Sequence, residues 1–244
     1  MIRALSVTGF HRAGKTKVVV AIVRELTKRG YRVGTVKHIP EKDFTIDRPG
    51  KDTWAHAKAG AKLVVSMASN EVAKIERRSA KLEEVLEGLQ GLDFVIVEGF
   101  KDFRGLAKVV VAKSEAEAKK LVDRFTIACI GTKGLSVPTF RFGQVKEIVN
   151  MVERKAYSPL FGLDCRQCGL GSCEDFAAAV VSGKKRWDDC AATAGRVSLS
   201  VDGRSIPLNP FAQKILEGAI KGMLSSLKGA KGEQIEIKVV KNAG

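Results

Sequence analysis

The chain has 244 residues, 45% hydrophobic and 6% aromatic, and a formal net charge of +15 from 42 Lys/Arg against 27 Asp/Glu. That length accommodates one large α/β domain and a smaller appended one. No run approaches the roughly 20 apolar residues of a membrane span, and no charged-then-apolar leader precedes the first motif, so the protein reads as cytoplasmic.

The positive excess lies mainly in residues 1–155, which hold 30 Lys/Arg and 18 Asp/Glu. Such a field suits polyanionic small molecules, nucleic acid or an acidic protein partner. The aromatics do not interleave with the cations, which argues against a nucleic-acid stacking platform.

In chain order, Ile2–Val7 reads as a strand and leads into Gly9-Phe10-His11-Arg12-Ala13-Gly14-Lys15-Thr16, a complete G-x-x-x-x-G-K-T phosphate loop. Glycines at both ends free closely spaced backbone N–H groups to converge on phosphates. Lys15 adds charge at the outer phosphates and the Thr16 hydroxyl ligates Mg²⁺. The context agrees, because Val18 to Leu26 carries apolar residues around a helical face and stops at Gly30. The candidate nucleotide contacts here are Gly9, Arg12, Ala13, Gly14, Lys15, Thr16 and Lys17.

Further strands are expected at Arg32–Val36, Lys62–Met67, Asp93–Val97, Ala107–Ala112 and Phe125–Ile130. Helices are expected at Trp54–Ala59, Lys81–Leu89, Glu115–Val122 and Gln144–Lys155. The alternation predicts an α/β fold, a mainly parallel sheet with helices on both faces and ligands at the carboxyl ends of the strands.

Three loops at such ends stand out. Glu98-Gly99 closes the apolar strand Phe94–Val97, where a phosphate-loop protein keeps the carboxylate that holds Mg²⁺ through water or orients an attacking one. Lys37-His38 follows the second strand. Asp47-Arg48-Pro49-Gly50-Lys51-Asp52-Thr53 gathers two carboxylates at a Pro-Gly turn, a composition that equally suits a plain solvated turn. Thr132, in Gly131-Thr132-Lys133, stands where related nucleotide folds read the base, although no Asn-Lys-x-Asp motif is present.

Tyr157-Ser158-Pro159 reads as a linker. Beyond it Cys165, Cys168, Cys173 and Cys190 give C-x₂-C-x₄-C-x₁₆-C, while Cys129 sits alone in an apolar strand as a small buried hydrophobe. Four thiolates in a cytoplasmic chain point to a metal site rather than to disulfides. A structural Zn²⁺ site pairs two short knuckles, whereas three clustered thiolates and one distant one suit a [4Fe-4S] cluster. After Ala194, Arg196–Val201 and Arg204–Leu208 flank Asp202-Gly203 as a hairpin. Asn209 and Pro210 open an amphipathic helix to Leu227, and Gln234–Val240 reads as a last strand after a Lys/Gly-rich connector. The implied parts are residues 1–156, a phosphate-loop domain; 157–194, an iron-sulfur domain; and 195–244, a small α+β module.

The succession GFHRAGKT, VGTVKH, IDRPGKDT, AGA at Ala59–Ala61, LDFVIVEGFK and AKVVVAK resembles the molybdopterin-guanine dinucleotide biosynthesis protein B family, over about residues 1 to 150. The resemblance implies a dimeric, GTP-binding adaptor with weak GTPase activity that assists a molybdopterin-guanylyl transferase or a molybdopterin-carrying enzyme. It implies Asp47 and Asp52 near the metal or γ-phosphate, and Lys15, Glu98 and Asp52 as the groups acting in hydrolysis. Two departures are Ala13 where the family has Ser, and Thr16-Lys17 where it has paired Thr. Its histidine-rich stretch is replaced by Ile39-Pro40-Glu41-Lys42. CRQCGLGSCEDFAAAVVSGKKRWDDC, in turn, resembles the four-cysteine [4Fe-4S] domain of corrinoid iron-sulfur proteins. A second functional class stays open, in which nucleotide hydrolysis drives electron delivery from the cluster.

Overall fold

The computed structural model describes residues 2–41, 43–89, 91–158, 162–193, 197–201, 204–206, 208–229 and 235–237. The strands are β1 (Arg3–Thr8), β2 (Val33–Lys37), β3 (Leu63–Met67), β4 (Val72–Glu76), β5 (Phe94–Glu98), β6 (Ala107–Val111), β7 (Thr126–Ile130), β8 (Thr139–Phe140), β9 (Leu199–Val201) and β10 (Arg204–Ile206). The helices are α1 (Lys15–Lys28), α2 (Asp52–Lys58), α3 (Leu82–Gly88), α4 (Glu115–Lys119), α5 (Val145–Lys155), α6 (Cys173–Ser182) and α7 (Pro210–Ser225).

Six strands form one sheet in the order β2-β5-β1-β6-β7-β8, every neighbouring pair parallel. Each residue of β5, β6 and β7 is buried, as expected of parallel strands covered on both faces. The pleat of β1 divides the core: Leu5 and Val7 join the larger cluster with α1 and α5, and Ala4 joins the smaller one under α3. On that second face α4 covers Val110, Ala112 and Cys129 through Ala118, so Cys129 is the buried hydrophobe its neighbours in sequence imply. Arg29 pins α1 to α5 through Glu153 (2.6 Å) and Asn150 (2.8 Å).

One expected sheet strand lies elsewhere. Leu63–Met67 pairs antiparallel with β4 in a separate two-stranded ribbon, which the periodicity of the chain did not announce. Four residues separate the two strands, and Ala68 N donates to Glu71 O at 2.8 Å. A parallel partner would need a crossover of a dozen or more residues, so only a hairpin is open to this segment. Leu63, Val65, Met67 and Val72 remain exposed on the ribbon.

After α5 the chain returns to the amino end of β1, where Ala4 and Tyr157 form an antiparallel bridge and the Ser158 hydroxyl donates to Ile2 O. The four-cysteine segment docks at that end of the sheet. Trp187 stacks on Tyr157 (5.1 Å, 16°) and lies 5.9 Å from Phe176, while Arg124 holds Glu174 (2.9 Å) and Asp175 (2.6 Å) at the start of α6. Phe176, Ala177, Val180, Val181 and Cys190 belong to the same apolar cluster as the sheet.

Val201 pairs with Arg204, leaving two residues for the hairpin turn; Asp202 and Gly203 themselves lie outside the described residues. Asn209 Oδ1 accepts from Ala212 N (2.8 Å) to cap α7, and Gln213 ties the helix to Ala192 O (3.0 Å). Most of the expected last strand lies outside the described residues, and 235–237 carry no regular structure. No described helix is long and apolar enough to cross a membrane.

Candidate nucleotide site and four-cysteine site

The phosphate loop rises from β1 at the carboxyl edge of the sheet and passes directly into α1. Arg12 (φ 54°) and Gly14 (φ 96°) take the left-handed conformation that turns the chain back toward the helix axis. Gly9 passes so close to β6 that a Cβ there would stand 2.4 Å from the Val111 carbonyl oxygen. Ala13 is buried beneath the loop, so only its backbone can address a ligand. Arg12, Thr16 and Lys17 are exposed. Lys15 arches back over the loop, its ammonium donating to Gly9 O (3.1 Å) and Phe10 O (2.8 Å).

Glu98, at the end of β5 and only 8% exposed, accepts from Thr16 Oγ1 at 2.8 Å and pairs with Lys37 Nζ at 3.4 Å. The two polar residues expected at a metal therefore meet across 82 residues of chain. Gly99 (φ 97°) and Phe100 (φ 50°) turn sharply away behind Glu98. A Cβ on Gly99 would come within 2.9 Å of His38 Cβ, and the His38 ring packs on Phe100 at 4.6 Å. His38 is thereby a packing group beside the site.

Asp47 is half-buried. Its Oδ1 accepts from Thr53 Oγ1 (3.0 Å) and Arg48 N (2.9 Å), and its Oδ2 is enclosed without a partner. Asp52 is exposed in the first turn of α2, where a carboxylate is favoured by the helix dipole. Among the described residues no hydrogen bond or ion pair joins either carboxylate to Thr16 or Glu98. Thr132 is half-buried in the loop after β7, its hydroxyl 3.5 Å from Lys133 O. Across this loop lies Phe142, a residue no motif marked: Gly131 N donates to Phe140 O (3.1 Å), and the Phe142 ring lies over Gly131 and Gly14.

Cys165, Cys168, Cys173 and Cys190 line one small cavity together with Leu163 and Phe176. Ser172 caps α6 by accepting from Asp175 N (3.1 Å), and Asp164 braces Cys173 twice, accepting from its N–H at 2.6 Å and donating its own N–H to Sγ at 3.3 Å. Burial pushes the Cys173 thiol up, and the Asp164 N–H pulls it back. Among the described residues no three His, Cys, Asp or Glu side chains converge closely enough to hold a single metal ion. Four cysteine sulfurs on one cavity are the donor set of a soft-metal site, a [4Fe-4S] cluster or a single Zn²⁺.

The fold and the loop define a phosphate-loop NTPase class of protein, carrying a four-cysteine cavity at the opposite end of its sheet. The family described as "Molybdopterin guanine dinucleotide synthesis protein B" matches residues 4–132, and the one described as "Putative Fe-S cluster" matches residues 160–192. A "Putative molybdopterin-guanine dinucleotide biosynthesis adapter protein" of Methanocaldococcus jannaschii is 32% identical over 248 residues, 98% of this chain and 99% of that relative. The adapter protein of Escherichia coli is 31% identical over 137 residues, 52% of this chain and 77% of the relative. Among solved structures, Bacillus subtilis MobB aligns with a TM-score of 0.53 at 23% identity, covering 61% of this chain and 97% of that one. A second MobB structure aligns at 0.51 and 26% identity, covering 62% and 97%. The chain belongs to the molybdopterin-guanine dinucleotide biosynthesis adapter family, MobB, and carries in addition a segment of an iron-sulfur cluster class.

Proposed function

We propose that this protein is a cytoplasmic Mg²⁺-GTP-binding adaptor with weak GTPase activity, serving the enzyme that joins GMP to molybdopterin or one that carries molybdopterin, and that its four cysteines hold a [4Fe-4S] cluster. The observation that carries the nucleotide half is the 2.8 Å contact of Thr16 with Glu98 at the mouth of a complete phosphate loop. In this reading residues 1–156 are the nucleotide unit, 157–194 the cluster unit and 195–244 a terminal module.

The loop's backbone N–H groups take the β- and γ-phosphates, and Lys15 turns from the Gly9 and Phe10 carbonyls onto the phosphate oxygens. Thr16 and Glu98 would hold Mg²⁺, the carboxylate through water, and Glu98 orients the attacking water. The loop carrying Asp47 and Asp52 closes over the γ-phosphate and relaxes when phosphate leaves, so occupancy of the site becomes a change of surface that a partner can read. The exposed apolar residues of the β3–β4 ribbon, Leu63 (50%), Val65 (45%), Met67 (80%) and Val72 (55%), favour a homodimer.

Cys165, Cys168, Cys173 and Cys190 would hold the cluster through their four thiolates, and the cluster when bound would cross-link these segments and supply a one-electron couple. The phosphate loop and the cysteine cavity lie at opposite ends of the sheet, whose strand β1 alone is about 20 Å long. At that separation the thiolates do not touch the nucleotide, so hydrolysis could drive electron delivery from the cluster only through a change of shape. Titration calorimetry with GTP and ATP, with and without Mg²⁺, tests the first half; absence of Mg²⁺-dependent binding of either would sink it. Iron, sulfide and zinc analysis of anaerobically purified protein tests the second, four irons per chain being expected and one zinc per chain fatal to it.

A further inference from the structure

We propose that Phe142 is the stacking platform for the nucleobase, an inference that rests on the nucleotide-binding reading above. The sheet order gives the direction of the nucleotide. Glu98 and Lys37 lie on the β5 and β2 side of β1, so the metal end of the phosphates belongs there. The nucleoside end then leaves toward β6, β7 and β8, on the same carboxyl edge of the sheet.

Phe142 occupies that side. It stands two residues beyond the end of β8, and its opposite ring edges meet two different glycines. A Cβ on Gly14 would stand 3.1 Å from Phe142 Cε1, and a Cβ on Gly131 would stand 3.2 Å from Cε2. The ring thus bridges the last glycine of the phosphate loop and the first residue after β7. Both glycines have positive φ (96° and 98°), and a Cβ on Gly131 would also strike the Ala112 carbonyl at 2.4 Å, so side chains are kept out of the ring's seat.

The turn is held from below: Arg141 N donates to Gln144 Oε1 (2.8 Å) and Gln144 N to Arg141 O (3.0 Å), directly ahead of α5. Even so, Phe142 remains 46% exposed. A half-exposed aromatic braced against the last glycine of the phosphate loop is a platform a base can stack on, and every base has a face to offer. Thr132, in the loop that the ring touches, is the adjacent group able to hydrogen-bond the base edge.

The test compares two probes on the full chain by titration calorimetry with Mg²⁺: GTP, which has a base, and inorganic tripolyphosphate, which has none. Phe142→Leu keeps an apolar side chain on the two glycines but removes the ring. It should weaken GTP about five- to a hundredfold while leaving tripolyphosphate within about twofold. Phe142→His, planar and smaller at the ring tip that sits between Gly14 and Gly131, should restore most of the GTP affinity. Unchanged GTP binding in Phe142→Leu, or equal loss for both probes, overturns the inference and leaves the nucleotide reading standing. A wild-type chain that binds neither probe overturns both.

Discussion

Removing the Phe176 ring tests whether the four-cysteine segment is part of the protein's core or a detachable appendage. Phe176 is fully buried on α6, which packs against β7, and its ring lies 5.9 Å from that of Trp187. Phe176→Ala forfeits the transfer of a large apolar side chain, about 1.5–3 kcal/mol, and leaves a cavity that stacked rings and a central sheet cannot close. The expected cost is about 3–5 kcal/mol. In a protein of this size each kcal/mol lowers the melting temperature by about 2–4 °C, so a fall of roughly 6–20 °C is expected. The assay is calorimetric melting of anaerobically purified protein, with iron absorbance followed in parallel. Because the same apolar cluster contains Phe125, Ile127 and Val149 of the nucleotide unit, one cooperative transition should move as a whole. A main transition that stays in place while iron is lost would refute the shared core.

The remaining expectations concern the phosphate loop and the docking of α6. Gly9→Ala places a Cβ 2.4 Å from a backbone carbonyl, about 1 Å inside ordinary contact, so the loop must lift off β6. We expect about 1–3 kcal/mol of destabilisation and at least a tenfold loss of GTP affinity. Gly88→Ala, in open space within α3, serves as the control and should be neutral or stabilising by up to about 1 kcal/mol. The Asp175 carboxyl is held below its ordinary 3.8, first by the Ser172 hydroxyl and then by the Arg124 guanidinium. A depressed folded-state value contributes stability above the ordinary carboxylate pKa and loses it as pH falls through the folded value. Melting temperature should therefore drop more steeply below about pH 4 in the wild type than in Asp175→Asn, and identical profiles would count against the Ser172–Asp175–Arg124 link.

The phosphate loop, the buried parallel strands and the cysteine spacing were legible because each is written locally. Two glycines at fixed spacing permit the left-handed turn at Gly14, continuous apolar runs require burial on both faces, and the thiolates cluster within 26 residues of chain. The β4 strand was not legible, since Val72–Glu76 is only five residues long with two charges, and declares itself only by pairing with Leu63–Met67. Phe142 was equally silent, because its neighbours Gly14 and Gly131 are distant in sequence and meet it only once β7 and β8 are in register.

By itself the sequence determined which backbones can bend around phosphate, which segments must be buried and which side chains can bind a soft metal. Those are consequences of torsional freedom, periodicity and thiolate chemistry over a few residues. Only the tertiary structure decided that Thr16 meets Glu98, that the Phe142 ring bridges Gly14 and Gly131, and that the cysteines lie at the far end of the sheet. These depend on strand order and on the return of Tyr157 to the start of β1, where packing of residues distant in sequence sets what touches what.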